Sequence, residues 1–130
     1  MEADRSRQRD VVSAFLTAAR GDDFSALLAL LDPAVVLRAD AAAVAMSLAR
    51  ASAGAPALTP ETHGAAAVAA IFKGRARAAK PAFIDGEPGL VFAPGGKPVV
   101  VFDFVLENGR IAEISLIADA SSIAALHLTT

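Results

Sequence analysis

The stretch Val99–Ala118, VVVFDFVLENGRIAEISLIA, decides the fold. Two runs rich in β-branched and aromatic residues flank Asn108-Gly109, a pair that accepts positive φ at both positions and so suits a two-residue type I′ hairpin turn. Glu107 then faces Arg110, and the same count carried back along the strands sets Asp103 opposite Ile114. On this register Val99, Val101, Asp103, Val105, Ala112, Ile114 and Leu116 share one face. Val100, Phe102, Phe104, Leu106, Ile111, Glu113, Ser115 and Ile117 share the other. Both faces are mostly apolar and need cover, and the helices of a small chain normally cover one. The uncovered face is expected to meet a second copy in a homodimer, and Val100, Phe102, Phe104 and Ile117 form one surface suited to it.

Upstream, strands are predicted at Ala82–Asp85 and Leu90–Ala93, bounded by turns at Gly86-Glu87-Pro88-Gly89 and Pro94-Gly95-Gly96. Four consecutive strands with short turns form an antiparallel meander. Before them, Val11, Val12, Phe15, Leu16 and Ala19 repeat at helical spacing from Asp4 until Gly21. Asp22 and Asp23 can cap a second helix, Phe24–Leu31, which Pro33 closes. Val35–Arg38 reads as a strand. Asp40–Arg50 is alanine-rich enough for a helix, and Gly54, Pro56 and Pro60 turn the remainder to loop. Gly64–Ala79 is a clearer helix, with Val68, Ile71, Phe72 and Ala79 on one side, and Pro81 ends it. Asp119 is placed to cap a short closing helix carrying Ile123 and Leu126. The order ααβαββββ is α+β, one domain over residues 1–130, with a curved antiparallel sheet wrapped around helices.

Composition narrows the function classes. Of 130 residues, 55% are hydrophobic and 20% charged, with a net charge of −2, which excludes a disordered chain. Twelve basic residues against 14 acidic ones supply no positive field for phosphates, so no direct nucleic-acid contact is expected. Without cysteine there is no disulfide, thiolate nucleophile or Cys-ligated metal. The charged start lacks the apolar core of a signal peptide, and no run approaches the ~20 residues of a membrane span. A cytoplasmic location without membrane attachment is expected.

Chemistry-bearing residues are sparse. Asp103 lies among aliphatic residues on the sheet, where desolvation would raise its pKa toward that of a general base; the plainer reading is a rim aspartate reaching water or Lys97. A ligand pocket between the curved sheet and the helices would be lined by Phe72, Phe92, Val101, Asp103 and Ile114, residues that equally serve as core. Asp40 reads as a turn former. Lys73, Arg77 and Lys80 recur along the helix before Pro81 and could dock an acidic partner, although solvated charged stripes are commoner. His63 and His127 lack metal-ligand spacing, so no metal is expected, and no cofactor either. Neither glycine cluster opens a helix, as a phosphate loop requires.

Several strings resemble a known family: Arg7-Gln8-Arg9-Asp10-Val11-Val12, Ala19-Arg20-Gly21-Asp22-Asp23-Phe24, Leu30-Leu31-Asp32-Pro33, Gly74-Arg75-Ala76-Arg77-Ala78-Ala79, Ala93-Pro94-Gly95-Gly96 and Val101-Phe102-Asp103-Phe104. From about Arg7 onward the chain is similar to the SnoaL-like, or nuclear-transport-factor-two-like, C-terminal domain of actinobacterial extracytoplasmic-function RNA polymerase sigma factors. The resemblance implies a SnoaL-like (cystatin-like) cone and a regulator that packs on the sigma regions, with a tail helix matched here by Ala118-Asp119-Ala120-Ser121-Ser122-Ile123. It implies a non-catalytic regulatory or ligand-sensing domain acting on transcription initiation through protein contacts, Asp119 among them. Its partners would be sigma-factor core regions or RNA polymerase in a longer natural chain, and a small apolar ligand. The alternative is a small SnoaL-like isomerase, cyclase or hydrolase with Asp103 as general base.

Overall fold

One stripe of the first helix is apolar and the rest charged, so the helix must lie on a core. The computed structural model describes residues 2–51, 58–72 and 79–129. Helix α1 (Glu2–Arg20) buries Val12, Phe15, Leu16 and Ala19, the i, i+3, i+4, i+7 stripe. It ends where Asp22 turns to a φ of 54° and the Gly21 and Asp23 amides donate to the Thr17 and Ala18 carbonyls. The Asp23 carboxylate accepts the Ala26 amide and starts α2 (Phe24–Leu30). Strand β1 (Leu31–Ala39) follows at once. Leu31 is therefore strand rather than helix, and Pro33 lies in the irregular first part of β1, where it favours extended backbone at Asp32.

Asp40 caps α3 (Ala41–Ala51) by accepting the Ala43 amide. A three-residue strand β2 (Glu61–His63), in the segment read as loop, leads through Gly64 into α4 (Ala65–Phe72). Strands β3 (Lys80–Ile84) and β4 (Glu87–Phe92), a 3-10 turn at Pro94–Gly96, then β5 (Val100–Glu107) and β6 (Arg110–Ile117) form the expected meander. The tail contributes α5 (Ala120–Ala124) and a two-residue strand β7 (Leu128–Thr129). The turn between β3 and β4 is Asp85-Gly86, with φ of 50° and 85°, and Glu87, Pro88 and Gly89 belong to β4. Asn108-Gly109, with φ of 53° and 78°, is the predicted hairpin turn.

Among the described residues the sheet has seven strands in the order β2-β1-β6-β5-β4-β3-β7. It is mixed rather than antiparallel, because β1 runs parallel to β6. The hairpin starts as expected, with Glu107 opposite Arg110 and Leu106 opposite Ile111. Then Val105 faces Glu113, leaving Ala112 as an extra residue in a β-bulge. Asp103 therefore faces Ser115, not Ile114, and Ile114 faces Phe104.

This one-residue slip sorts the faces anew. Phe102, Phe104, Ile111, Ile114 and Leu116 join Val35 and Leu37 of β1 on the inner face, against α1, α2 and α4. Phe15 stands edge-on to Phe72 and Phe104, with ring centroids 5.0 and 5.3 Å away. The Phe102 and Phe104 side expected to bind a second copy is thus the core of this one. Val101 faces outward with Ala82, Ile84 and Val91, under Ile117, Ile123, Leu126 and Leu128. The chain's own tail covers that part of the outer face.

Candidate functional site

Asp103 projects from the outer side of β5, between Val101 and Val105 and opposite Ser115. It is half-buried. Burial pushes its carboxyl above the usual aspartate range, and the nearby charges of Asp85, Glu113 and Glu87 act in the same direction; the Phe104 amide opposes them. Among the described residues no ion pair joins it to Lys97.

The five residues expected to line a pocket are divided by the sheet. Phe72 and Ile114 are fully buried in the inner core, and Phe92 packs at its margin. Val101 and Asp103 lie on the other side, Val101 fully buried beneath the tail. The bulge at Ala112 separates Asp103 from Ile114, and strand alternation separates Val101 from Phe102. On the inner side the strands present Leu31, Val35, Leu37, Leu90, Phe102, Phe104, Ile111, Ile114 and Leu116, all apolar.

Of the basic stripe, Lys73 and Arg77 lie outside the described residues. Lys80 is exposed at the start of β3 opposite Val91, so it belongs to a strand and not to the helical stripe; Pro81 after it favours extended backbone. Asp119 caps α5, accepting the Ser122 amide and the Ser121 and Ser122 hydroxyls. The Ser121 hydroxyl first, then the Ser122 groups, hold its carboxyl below the usual range. Asp40 is a structural staple: one oxygen accepts the Ala43 amide, the other the Ala118 and Asp119 amides at 2.9 and 3.0 Å.

One cluster escaped the sequence reading because it needs β2. Arg38 donates to Glu113 at 2.6 Å and to Glu61 at 2.8 Å, tying β2, β1 and β6 together, and His63 lies 2.6 Å from Glu61. The hydrogen bond to Glu113, then the Glu61 charge, raise the Arg38 pKa. These groups are exposed, so screening keeps the network weak. His63 and His127 sit toward opposite edges of the sheet, and among the described residues no three His, Asp or Glu side chains form a metal-binding group. A cleft of about 330 Å³ runs between α1 and the β3–β4 hairpin, lined by Arg9, Val12, Pro81, Phe83 and Pro88.

Helices packed on a curved mixed sheet in this order define the α+β fold of nuclear-transport-factor-two-like, SnoaL-like and cystatin-like domains. Among solved structures, the chain is similar to the extracytoplasmic-function sigma factor SigJ of Mycobacterium tuberculosis, at 20% identity and a TM-score of 0.66. That match covers 90% of this chain and 44% of the sigma factor, so the chain spans less than half its length. It is similar also to an LEH-like epoxide hydrolase of M. tuberculosis, at 19% identity and a TM-score of 0.55, covering 91% and 86% of the two chains. An NTF2-like protein of unknown function from Cytophaga hutchinsonii matches at 16% identity and a TM-score of 0.53, covering 90% and 94%. These likenesses establish the fold. No family model matches the chain, and no curated protein does. Among the described residues, no helix is long and apolar enough to cross a membrane.

Proposed function

We propose that the chain is a non-catalytic regulatory domain, related to the C-terminal domain of sigma factors, that acts on transcription initiation in the cytoplasm through protein contacts. The observation that carries this reading is the inner face of the sheet, whose buried strand residues are all apolar, while the carboxylate suited to act as base points outward. General acid–base catalysis needs a titratable group within hydrogen-bond reach of a bound substrate. The likeness to SigJ over 90% of the chain supports the sigma-factor side of the reading. The enzyme reading draws on the likeness to the epoxide hydrolase, but the outward position of Asp103 speaks against it.

The contact surface follows from what the tail leaves open. On the outer face of β1, β6 and β5, Val105 is 47% exposed beside Val36 and the Arg38–Glu113 pair. We place there the contact with sigma-factor core regions or RNA polymerase, or with a second copy in a homodimer. Binding of the purified chain to polymerase core and to isolated sigma regions, measured by interferometry, tests the reading. Micromolar binding weakened by Val105→Glu supports it. No binding to either at tens of micromolar would refute it, and sedimentation at the same concentrations reports the homodimer.

A further inference from the structure

The inner face of the sheet extends beyond its helical cover at one edge. Pro81 and Phe83 of β3 point toward α1 yet remain exposed, because α1 packs over β4 and stops short of β3, which only the two-residue β7 flanks on its far side. Phe83 is 37% exposed, an uncommon position for a phenylalanine on the helix-covered side of a sheet. Its cross-strand partner is Pro88, whose carbonyl accepts a 2.9 Å hydrogen bond from Gln8 Nε2 and so fixes the distance between helix and hairpin. The result is the 330 Å³ cleft lined by Arg9, Asp10, Val12, Ser13 and the β3–β4 residues. A second hollow of about 210 Å³ shares Arg9 and Phe83 and adds Arg5 and Ser6.

We propose that this cleft is a binding site for a small amphipathic carboxylic acid, with an apolar body on Phe83, Pro81 and Pro88 and its carboxylate between Arg5 and Arg9. Arg5 and Arg9 are four residues apart on α1 and therefore on one face, above the apolar floor. Among the described residues neither forms an ion pair, so both can turn to an incoming anion. A guanidinium pairs with a carboxylate through charge-assisted hydrogen bonds, and Arg9 of the cleft together with Arg5 of the adjoining hollow outweighs the single carboxylate of Asp10. The cleft lies at the lower end of the range of about 300–1,000 Å³ typical of small-molecule sites, which selects a small ligand. Charge fixes the sign of that ligand, and the exposed ring requires it to carry an apolar group. The site is separate from the outer-face contacts proposed above and does not depend on them.

The test is an NMR titration of the ¹⁵N-labelled chain with sodium octanoate and, separately, with 1-octanol. The expected result is saturable octanoate binding with a Kd of about 1 mM or tighter, with shifts centred on the amides of residues 9–13 and 82–89. Octanol, lacking the charge, and the Arg5→Gln/Arg9→Gln variant should each weaken binding about tenfold. Phe83→Ala, an exposed position that leaves the core intact, should weaken both ligands. Absence of saturation, shifts centred elsewhere, or equal affinity for octanoate and octanol would each overturn the proposal. So would an acidic peptide that occupies the same amides where octanoate does not, because the cleft would then serve a protein partner.

Discussion

Replacing Asp103 by asparagine keeps the shape of the side chain and an oxygen for the Phe104 amide while deleting its charge. In the folded chain that charge is disfavoured by burial and then by Asp85, Glu113 and Glu87. A carboxyl whose pKa is raised by folding stabilises the protein in its protonated form; this contribution is complete below the ordinary aspartate pKa and is lost as pH rises through the folded value. At neutral pH the charged carboxylate is therefore a net cost, and Asp103→Asn removes it. Because the group is half exposed, solvent screens each repulsion, and the gain is about 0.5–1 kcal/mol. For a chain of this size that is about 2–4 °C in Tm. Thermal and urea unfolding of both proteins between about pH 7.5 and pH 4 would read it, the gain shrinking toward the acid end as wild-type Asp103 takes up its proton. An asparagine variant no more stable than wild type at neutral pH, or one whose advantage is the same across the range, would refute the reasoning.

Other perturbations probe the framework. Asp40→Ala removes the acceptor for three backbone amides and should cost about 2–3 kcal/mol in urea unfolding, with Asp40→Asn recovering part of it. Gly89→Ala would press a Cβ against Ile84 Cδ1 and to 2.7 Å from the Phe102 carbonyl oxygen; since the backbone cannot yield cheaply, it should lose about 1–3 kcal/mol. Phe15→Ala empties the centre of the ring cluster and should cost about 3–5 kcal/mol, a large share of a domain's stability, seen as a lowered Tm.

The helices were legible because each carries its own signal: the apolar stripe of α1, the Asp23 cap of α2, the Asp119 cap of α5. The Asn108-Gly109 turn was legible for the same reason, its chemistry being local. The bulge was not. Both faces of β5 and β6 are apolar, so a slip of one residue at Ala112 leaves the alternation of hydrophobic and polar residues almost unchanged, and pattern alone cannot register it. That slip carried Asp103 away from Ile114; that the helices cover the face of β5 bearing Phe102 and Phe104, and not the other, is set by tertiary packing that alternation along the strand does not encode. The parallel pairing of β1 with β6 is long-range, and β2 and β7, of three and two residues, are too short to show a period. Consequently the Arg38–Glu61–Glu113 group could not be assembled from sequence, nor could the cleft beside Phe83, which depends on how far α1 reaches across the sheet.

The Asp40 carboxylate also bears on how the fold opens. Its two oxygens are shared by the first turn of α3 and the chain leaving β6, segments distant in sequence. Neither can detach without disturbing an acceptor the other uses, so the amides of Ala43, Ala118 and Asp119 should exchange with solvent at similar rates, as parts of one cooperative unit. One side chain thereby couples the motion of a peripheral helix to that of the central hairpin.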